Sequence, residues 1–227
     1  RLKAAFTFQN MYLGLSPYDA PATYSLLQYT ELAEGVWYPM GGMYAGIQAL
    51  TSVAEKLGVK FIYNAPVKRL HVNGTKVLGA QLEDGREFYA DIFVGNADLP
   101  YIYKELLPNK AEAKKLEDKL YTCSTIMFYW GVDKEYPQIA HHNVFLGGDY
   151  KASFDQIFND HTLPEVPSFY VHAPKRTDPA AGPEGQDTLY VLVPVGHLDA
   201  RTEQDWEAMV KRARQTVLTR LANELGA

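Results

Sequence analysis

The stretch from Trp37 to Asp98 constrains the fold of this chain more than any other. A Gly41-Gly42 pair opens an apolar period in which Ile47, Leu50, Val53, Ala54 and Leu57 fall on one face of a helix. Gly58 holds the place of a left-handed stop at its end. A short apolar strand, Val59 to Tyr63, is expected next. Three further runs have strand character: Val67 to Val72, Val77 to Glu83 and Glu87 to Val94. Asn73-Gly74 and Asp84-Gly85 separate them, and both pairs favour tight hairpin turns. A helix feeding a strand and then a meander predicts a mixed α/β (α+β) fold.

The first 36 residues are short apolar and aromatic stretches with little charge, suited to the wall of an apolar cavity. Thr23 is placed to cap a short helix through Leu26, Leu27 and Tyr29. After the meander, Asp98 is an N-cap for a helix through Leu106, closed by Pro108. Lys110 to Tyr121 alternates charge as a solvated helix does. Thr122 to Val132 reads as a buried strand, residues 133–166 as irregular, and Ser168 to His172 as a short strand. A Pro- and Gly-bearing loop from Lys175 to Asp187 leads to a strand, Leu189 to Val195, whose Pro194 favours an edge or a strand end. Thr202 is placed to cap a long helix, Glu203 to Leu225.

The net charge of −5 offers no basic field to recruit nucleic acid. A single cysteine, Cys123, excludes an intramolecular disulfide and a cysteine zinc cluster. No apolar run approaches the roughly 18–20 residues that cross a bilayer. The chain starts Arg1-Leu2-Lys3 and ends inside a helical pattern, so it is expected to be an internal fragment.

Few motifs carry chemistry. His141 and His142 are adjacent; on a strand they point to opposite faces and chelate one metal poorly, so no metal site is expected. His172 and His197 suit structural hydrogen bonds. Asp149 and Asp155 suit a surface loop. Ser16 lacks a Gly-x-Ser-x-Gly elbow, and no Gly-x-Gly-x-x-Gly or P-loop lysine accompanies any glycine.

Longer stretches are more specific. The order of the 37–98 segment resembles the middle of two-domain flavoproteins of the amine oxidase type. Residues 16–43 (SPYDAPATYSLLQYTELAEGVWYPMGGM), 138–148 (QIAHHNVFLGG), 154–160 (FDQIFND), 172–185 (HAPKRTDPAAGPEG) and 189–198 (LYVLVPVGHL) together resemble the bacterial and fungal type of phytoene desaturase. The resemblance covers almost the whole chain and corresponds to the middle of such an enzyme. It implies part of a two-domain FAD-dependent oxidoreductase, with residues 37–98 in the FAD-binding domain. Residues 1–36 would then be a tunnel segment and 99–227 the substrate domain.

The resemblance further implies FAD as cofactor, and phytoene or a related polyene as substrate, dehydrogenated towards lycopene. Oxygen or a quinone would be the electron acceptor. It places Val67 as a backbone contact to the FAD adenine, Gly41 and Gly42 near the flavin, and Tyr12, Trp37 and Tyr38 along the substrate tunnel. His141 is a candidate proton relay, and other catalytic residues are expected outside this chain. A lipid-borne substrate implies peripheral docking on a membrane, on its cytoplasmic face. Two other readings stay open. One is a related carotenoid ketolase, carotene isomerase or retinol saturase. The other is a non-catalytic module that binds an apolar ligand.

Overall fold

A computed structural model describes residue 4, residues 6–198 and residues 203–226. The chain forms two compact units. One gathers the described residues up to Ser52 with those from Tyr121 onward; the other is Val53–Leu120. Helices and strands are mixed, and the strand pairings are antiparallel throughout, as the alternating patterns predict.

Helix α1 spans Met43–Lys56. Gly58 follows it with φ of 87°, the left-handed stop expected there. Its apolar stripe stands open: Ile47, Leu50, Val53 and Leu57 are all exposed. Val59 to Tyr63 forms no strand, because it finds no ladder partner among the described residues.

The smaller unit is the expected meander, β1 (Val67–Asn73), β2 (Lys76–Leu82) and β3 (Glu87–Tyr89), in the order β1-β2-β3. The first turn is centred on Gly74, whose φ is 60°, and β1 carries irregularities at Val67/Arg69 and His71/Val72. The expected third run stops early, since its ladder ends where Gly79 meets Tyr89. Asp98 stands at the N-cap position of a helical turn that continues to Leu106, but its side chain makes no cap bond. Helix α2, Lys110–Glu117, is capped by Asn109. It is not solvated all round, because Ala113 and Leu116 are buried.

The larger unit is built on a four-stranded sheet of β4 (Ser124–Val132), β5 (His142–Phe145), β6 (Phe169–His172) and β7 (Asp187–Val195), in the order β4-β7-β6-β5. β7 lies in the middle and pairs with β4 along its whole length. Pro194 is therefore not on an edge. It sits at the end of the strand, beyond the last β6 partner, Leu192, where a missing N–H costs no ladder bond. β4, expected to be buried, is an edge strand with only Ile126 fully buried.

Residues 133–166 are less irregular than their composition predicts. They contain β5 and helix α3, Tyr150–Phe158, started by the Asp149 carboxylate accepting the Ala152 N–H at 2.9 Å. Asp149 is thus a helix cap, and Asp155 pairs with Lys151 on the same helix. Helix α4, Trp206–Leu225, is capped by Asp205; Thr202 lies outside the described residues. Thr23 is no cap either. It sits inside a 3₁₀ turn, Ala22–Ser25, that runs into Leu26–Tyr29 and then a wider π turn, Thr30–Glu34.

Along β7 burial alternates strictly. Leu189, Val191, Val193 and Val195 point to one side and meet Met209, Ala213, Val217 and Leu221, four residues one turn apart on α4. With Ile126, Phe145, Phe169 and Val171 they form the core. That leaves the opposite face of the sheet for something else.

Candidate functional site

The other face carries Tyr190, Leu192 and Pro194 of β7. Met127 lies across the ladder from Leu192 on one side and Tyr170 on the other, while Thr125 faces Pro194 and His172 faces Tyr190. Thr125, Tyr170, Tyr190, Leu192 and Pro194 floor a cavity of about 840 Å³, in the upper part of the size range of small-molecule sites. Met11 and Tyr12 of the Phe8–Leu13 turn and Tyr150, Phe154 and Ile157 of α3 complete its walls. Gly14 shuts the turn tightly against the segment that leads into β4: a side chain there would stand 2.5 Å from Thr122 Cβ. The cavity can take a long apolar molecule, held by burial of surface rather than by hydrogen bonds.

Polar groups gather at one side. Glu31, in the π turn, reaches the lining and accepts a hydrogen bond from Gln9 Nε2 at 3.3 Å. His142 also lines the cavity, with its Nδ1 2.6 Å from Tyr170 Oη. Burial, aided by the nearby Tyr12 and Tyr190 phenols, pushes the Tyr170 phenol up to about 12, so it stays protonated. Burial lowers His142, and the charge of Glu31 works against that shift.

His141, His142 and His172 cluster, with ring centres 4.4 to 5.6 Å apart. The expectation that His141 and His142 diverge fails because His141 precedes β5 and is not one of its residues. Its Nε2 lies 2.9 Å from His172 Nε2, so one ring donates and the other accepts, and its Nδ1 lies 2.5 Å from Thr177 Oγ1. Burial and the two neighbouring rings bring His172 down to about 4. His141 is lowered by burial and by His142. These rings are neutral near pH 7 and arranged to share protons. No group of three or more His, Cys, Asp or Glu fit to hold a metal ion occurs among the described residues.

The segment after β6 ties this cluster down. Asp187, buried with its side chain fully enclosed, receives two hydrogen bonds from Arg176, at 2.9 and 2.7 Å, and one from the Tyr136 N–H at 2.7 Å. Burial opposes its charge, but the Arg176 and Tyr136 hydrogen bonds and the Arg176 and Lys175 charges outweigh burial and hold its carboxyl below the usual range. Between them lies Asp178, whose carboxylate accepts the Gly41 N–H at 2.7 Å. Gly41 and Gly42 have φ of 86° and 83°, which suits glycine alone, and the Gly42 N–H goes to Pro39 O at 2.9 Å.

Of the residues expected to form a site, the structure brings Tyr38 and His141 together, with ring centres 5.0 Å apart. Tyr38 Oη also approaches Gly42. Tyr12 lines the cavity. Trp37 is 88 % exposed and donates its indole N–H to Glu34 O; neither it nor Tyr38 is among the lining residues. His197 stacks edge-on with His161, centres 4.4 Å apart. Val67 belongs to the other unit and opens β1, an edge strand. The outer backbone of that strand has no ladder partner among the described residues, which fits a backbone contact to an adenine ring. The Gly41 and Gly42 N–H groups are already engaged, so this turn would meet a flavin through bare backbone surface and not through these donors. Glu31, Tyr170 and Asp178 were not singled out from sequence, and His142 was weighed only as a metal ligand beside His141. Alternation along Phe169–His172 and Leu189–Val195 places Tyr170, Tyr190 and Leu192 opposite the valines, and that signal was available.

Comparison with known proteins agrees with this architecture. A model of the flavin containing amine oxidoreductases matches residues 1–217. A phytoene desaturase of Phycomyces blakesleeanus is 48 % identical, over all of this chain and 40 % of its own length. A zeta-carotene-forming phytoene desaturase of Myxococcus xanthus is 51 % identical, over all of this chain and 43 % of its own length. The chain thus spans about two fifths of these relatives. In fold it resembles an oxidoreductase from Methanosarcina mazei, with a TM-score of 0.67 at 18 % identity, covering 98 % of this chain and 49 % of that one. With its sequence matched almost from end to end, the chain belongs to the flavin containing amine oxidoreductase family.

Proposed function

We propose that this chain is part of an FAD-dependent desaturase that acts on phytoene or a related polyene and carries it towards lycopene. The observation that carries this reading is the apolar cavity on the free face of the sheet, in a chain that matches phytoene desaturases along its whole length. A hydrocarbon offers no polar handle. Burial binds it, at about 25 cal/mol per Å² of apolar surface.

Each part of the chain then has a task. Tyr12 and the sheet face wall the substrate, and Trp37 and Tyr38 extend its route. Residues 37–98 serve the cofactor, with Val67 meeting the adenine and Gly41-Gly42 presenting bare backbone to the flavin. The remaining segments serve the substrate. When bound, the flavin accepts a hydride and is reoxidised by oxygen or a quinone. His141 relays the released proton through its contacts with His172 and Thr177. The protein draws its substrate from a membrane by peripheral contact on the cytoplasmic face; no helix among the described residues is long and apolar enough to cross one.

The test uses the full-length protein with FAD and phytoene in liposomes. New absorption bands from a lengthening conjugated system are the expected result. Bound flavin without new bands would move the reading to an isomerase, ketolase or saturase. No flavin binding would leave a module that binds an apolar ligand. Flotation with the liposomes checks the membrane contact, and protein that stays in the soluble fraction would refute it.

A further inference from the structure

The cavity holds a group that a hydrocarbon does not need. Glu31 is the only carboxylate among its lining residues. A carboxylate facing an apolar ligand loses hydration, and that cost is unfavourable unless the charge is paired or used. No Lys or Arg pairs with Glu31 among the described residues, and Gln9 Nε2, at 3.3 Å, is a weak donor to it. Glu31 also sits in a π turn, Thr30–Glu34, a winding found mostly as single turns at functional positions.

What lies beside it is equally specific. His142 shares the lining, and its Nδ1 is held by Tyr170 Oη at 2.6 Å, which orients the ring and leaves Nε2 for a further proton. The His141 ring centre is 4.4 Å from that of His142, and His141 Nε2 is 2.9 Å from His172 Nε2. Glu31 and His142 share the cavity wall, and from His142 the imidazoles of His141 and His172 continue towards Thr177.

We propose that Glu31 is the proton acceptor of the cavity and that His142 takes the proton onward. This rests on the desaturase reading. One C–H bond of the polyene precursor gives its hydride to the oxidised flavin. The neighbouring C–H gives its proton to the Glu31 carboxylate. The electron pair left by that second bond becomes the new double bond. Glu31 then passes its proton to His142 and returns to the carboxylate form. The other titratable groups facing this space are Tyr12, Cys123, Tyr150, Tyr170 and Tyr190. Burial raises all five, so they keep their protons and leave His142 as the carrier in the neutral range.

The experiment compares the full-length protein with its Glu31→Gln and Glu31→Asp variants, loaded with FAD and supplied with phytoene in liposomes across a range of pH. Glu31→Gln is expected to slow conjugation by about 10²–10⁴-fold, the usual contribution of a general base, and to abolish the acid limb of the rate–pH profile. Glu31→Asp restores part of both. Flavin-free samples of all three proteins should bind lycopene equally, followed by quenching of protein fluorescence. A Glu31→Gln rate near the parent's, or a rate loss that merely tracks lost polyene binding, overturns the acceptor while the desaturase reading stands. If the parent itself lengthens no polyene, the desaturase reading falls and the acceptor falls with it.

Discussion

Asp178 accepts the backbone N–H of Gly41 at 2.7 Å, across 137 residues of sequence. Its other oxygen takes the Ala180 N–H at 3.0 Å. One buried carboxylate thus fixes the glycine turn before α1 and the segment after β6 together. Asp178→Ala in the full-length protein should cost about 1–3 kcal/mol, the penalty for leaving a buried donor without its charged partner. Asp178→Asn keeps a single carbonyl oxygen for the two donors and should lose roughly half of that. Urea denaturation of both variants checks the order, and equal midpoints for parent and alanine variant would refute it.

Asp187 makes a stronger demand. It is enclosed, and Arg176 reaches it with two hydrogen bonds. Asp187→Asn keeps the volume but removes the charge, leaving the guanidinium without compensation. The expected loss is about 3–5 kcal/mol, typical of breaking one side of a buried pair. A calorimetric unfolding midpoint close to the parent's would contradict this.

His172 predicts a pH dependence with a definite sign. The fold lowers it from 6.5 to about 4, through burial and the rings of His141 and His142, so folding favours the neutral ring. Its contribution to stability is complete above pH 6.5 and is lost as the pH falls towards 4. His172→Gln should flatten the fall in thermal midpoint over that interval. A parallel curve, simply displaced, would place the sensitivity elsewhere.

Leu192 and Val193 are neighbours with separate tasks. Val193 is fully buried in the core, and Val193→Ala should destabilise by about 1–3 kcal/mol through the space it leaves. Leu192 lines the cavity. Leu192→Trp should leave the unfolding midpoint near that of the parent and weaken polyene binding. If the two substitutions produced the same pattern, the division between the faces of β7 would be wrong.

How legible this was in the sequence depended on whether the signal was local. The Gly58 stop of α1, the meander and the strand before the Lys175–Asp187 loop all rest on nearest neighbours and appear in the structure. Helix α3 was missed although its marks were present: a capping Asp149 ahead of Tyr150, Phe154 and Ile157 on one helical face. Strand β5 is four residues long, His142 to Phe145, too short to show a period. The edge position of β4 and the central one of β7 follow from sheet order, which no local pattern contains. The cavity is assembled from segments as distant as Tyr12, Glu31, Tyr170 and Leu192. Its chemistry was readable residue by residue, but their meeting was not.

The alternation along β7 has an evolutionary consequence. Residues 189, 191, 193 and 195 answer to the core, while 190, 192 and 194 answer to the cavity. One strand therefore carries two messages in alternate letters, and selection can edit either while leaving the other intact. Substitutions at even positions can move a lineage between ligands of different length or polarity with little loss of foldedness. An inserted or deleted residue would exchange the two messages at once. In this strand, novelty has to come by replacement and not by a change of length.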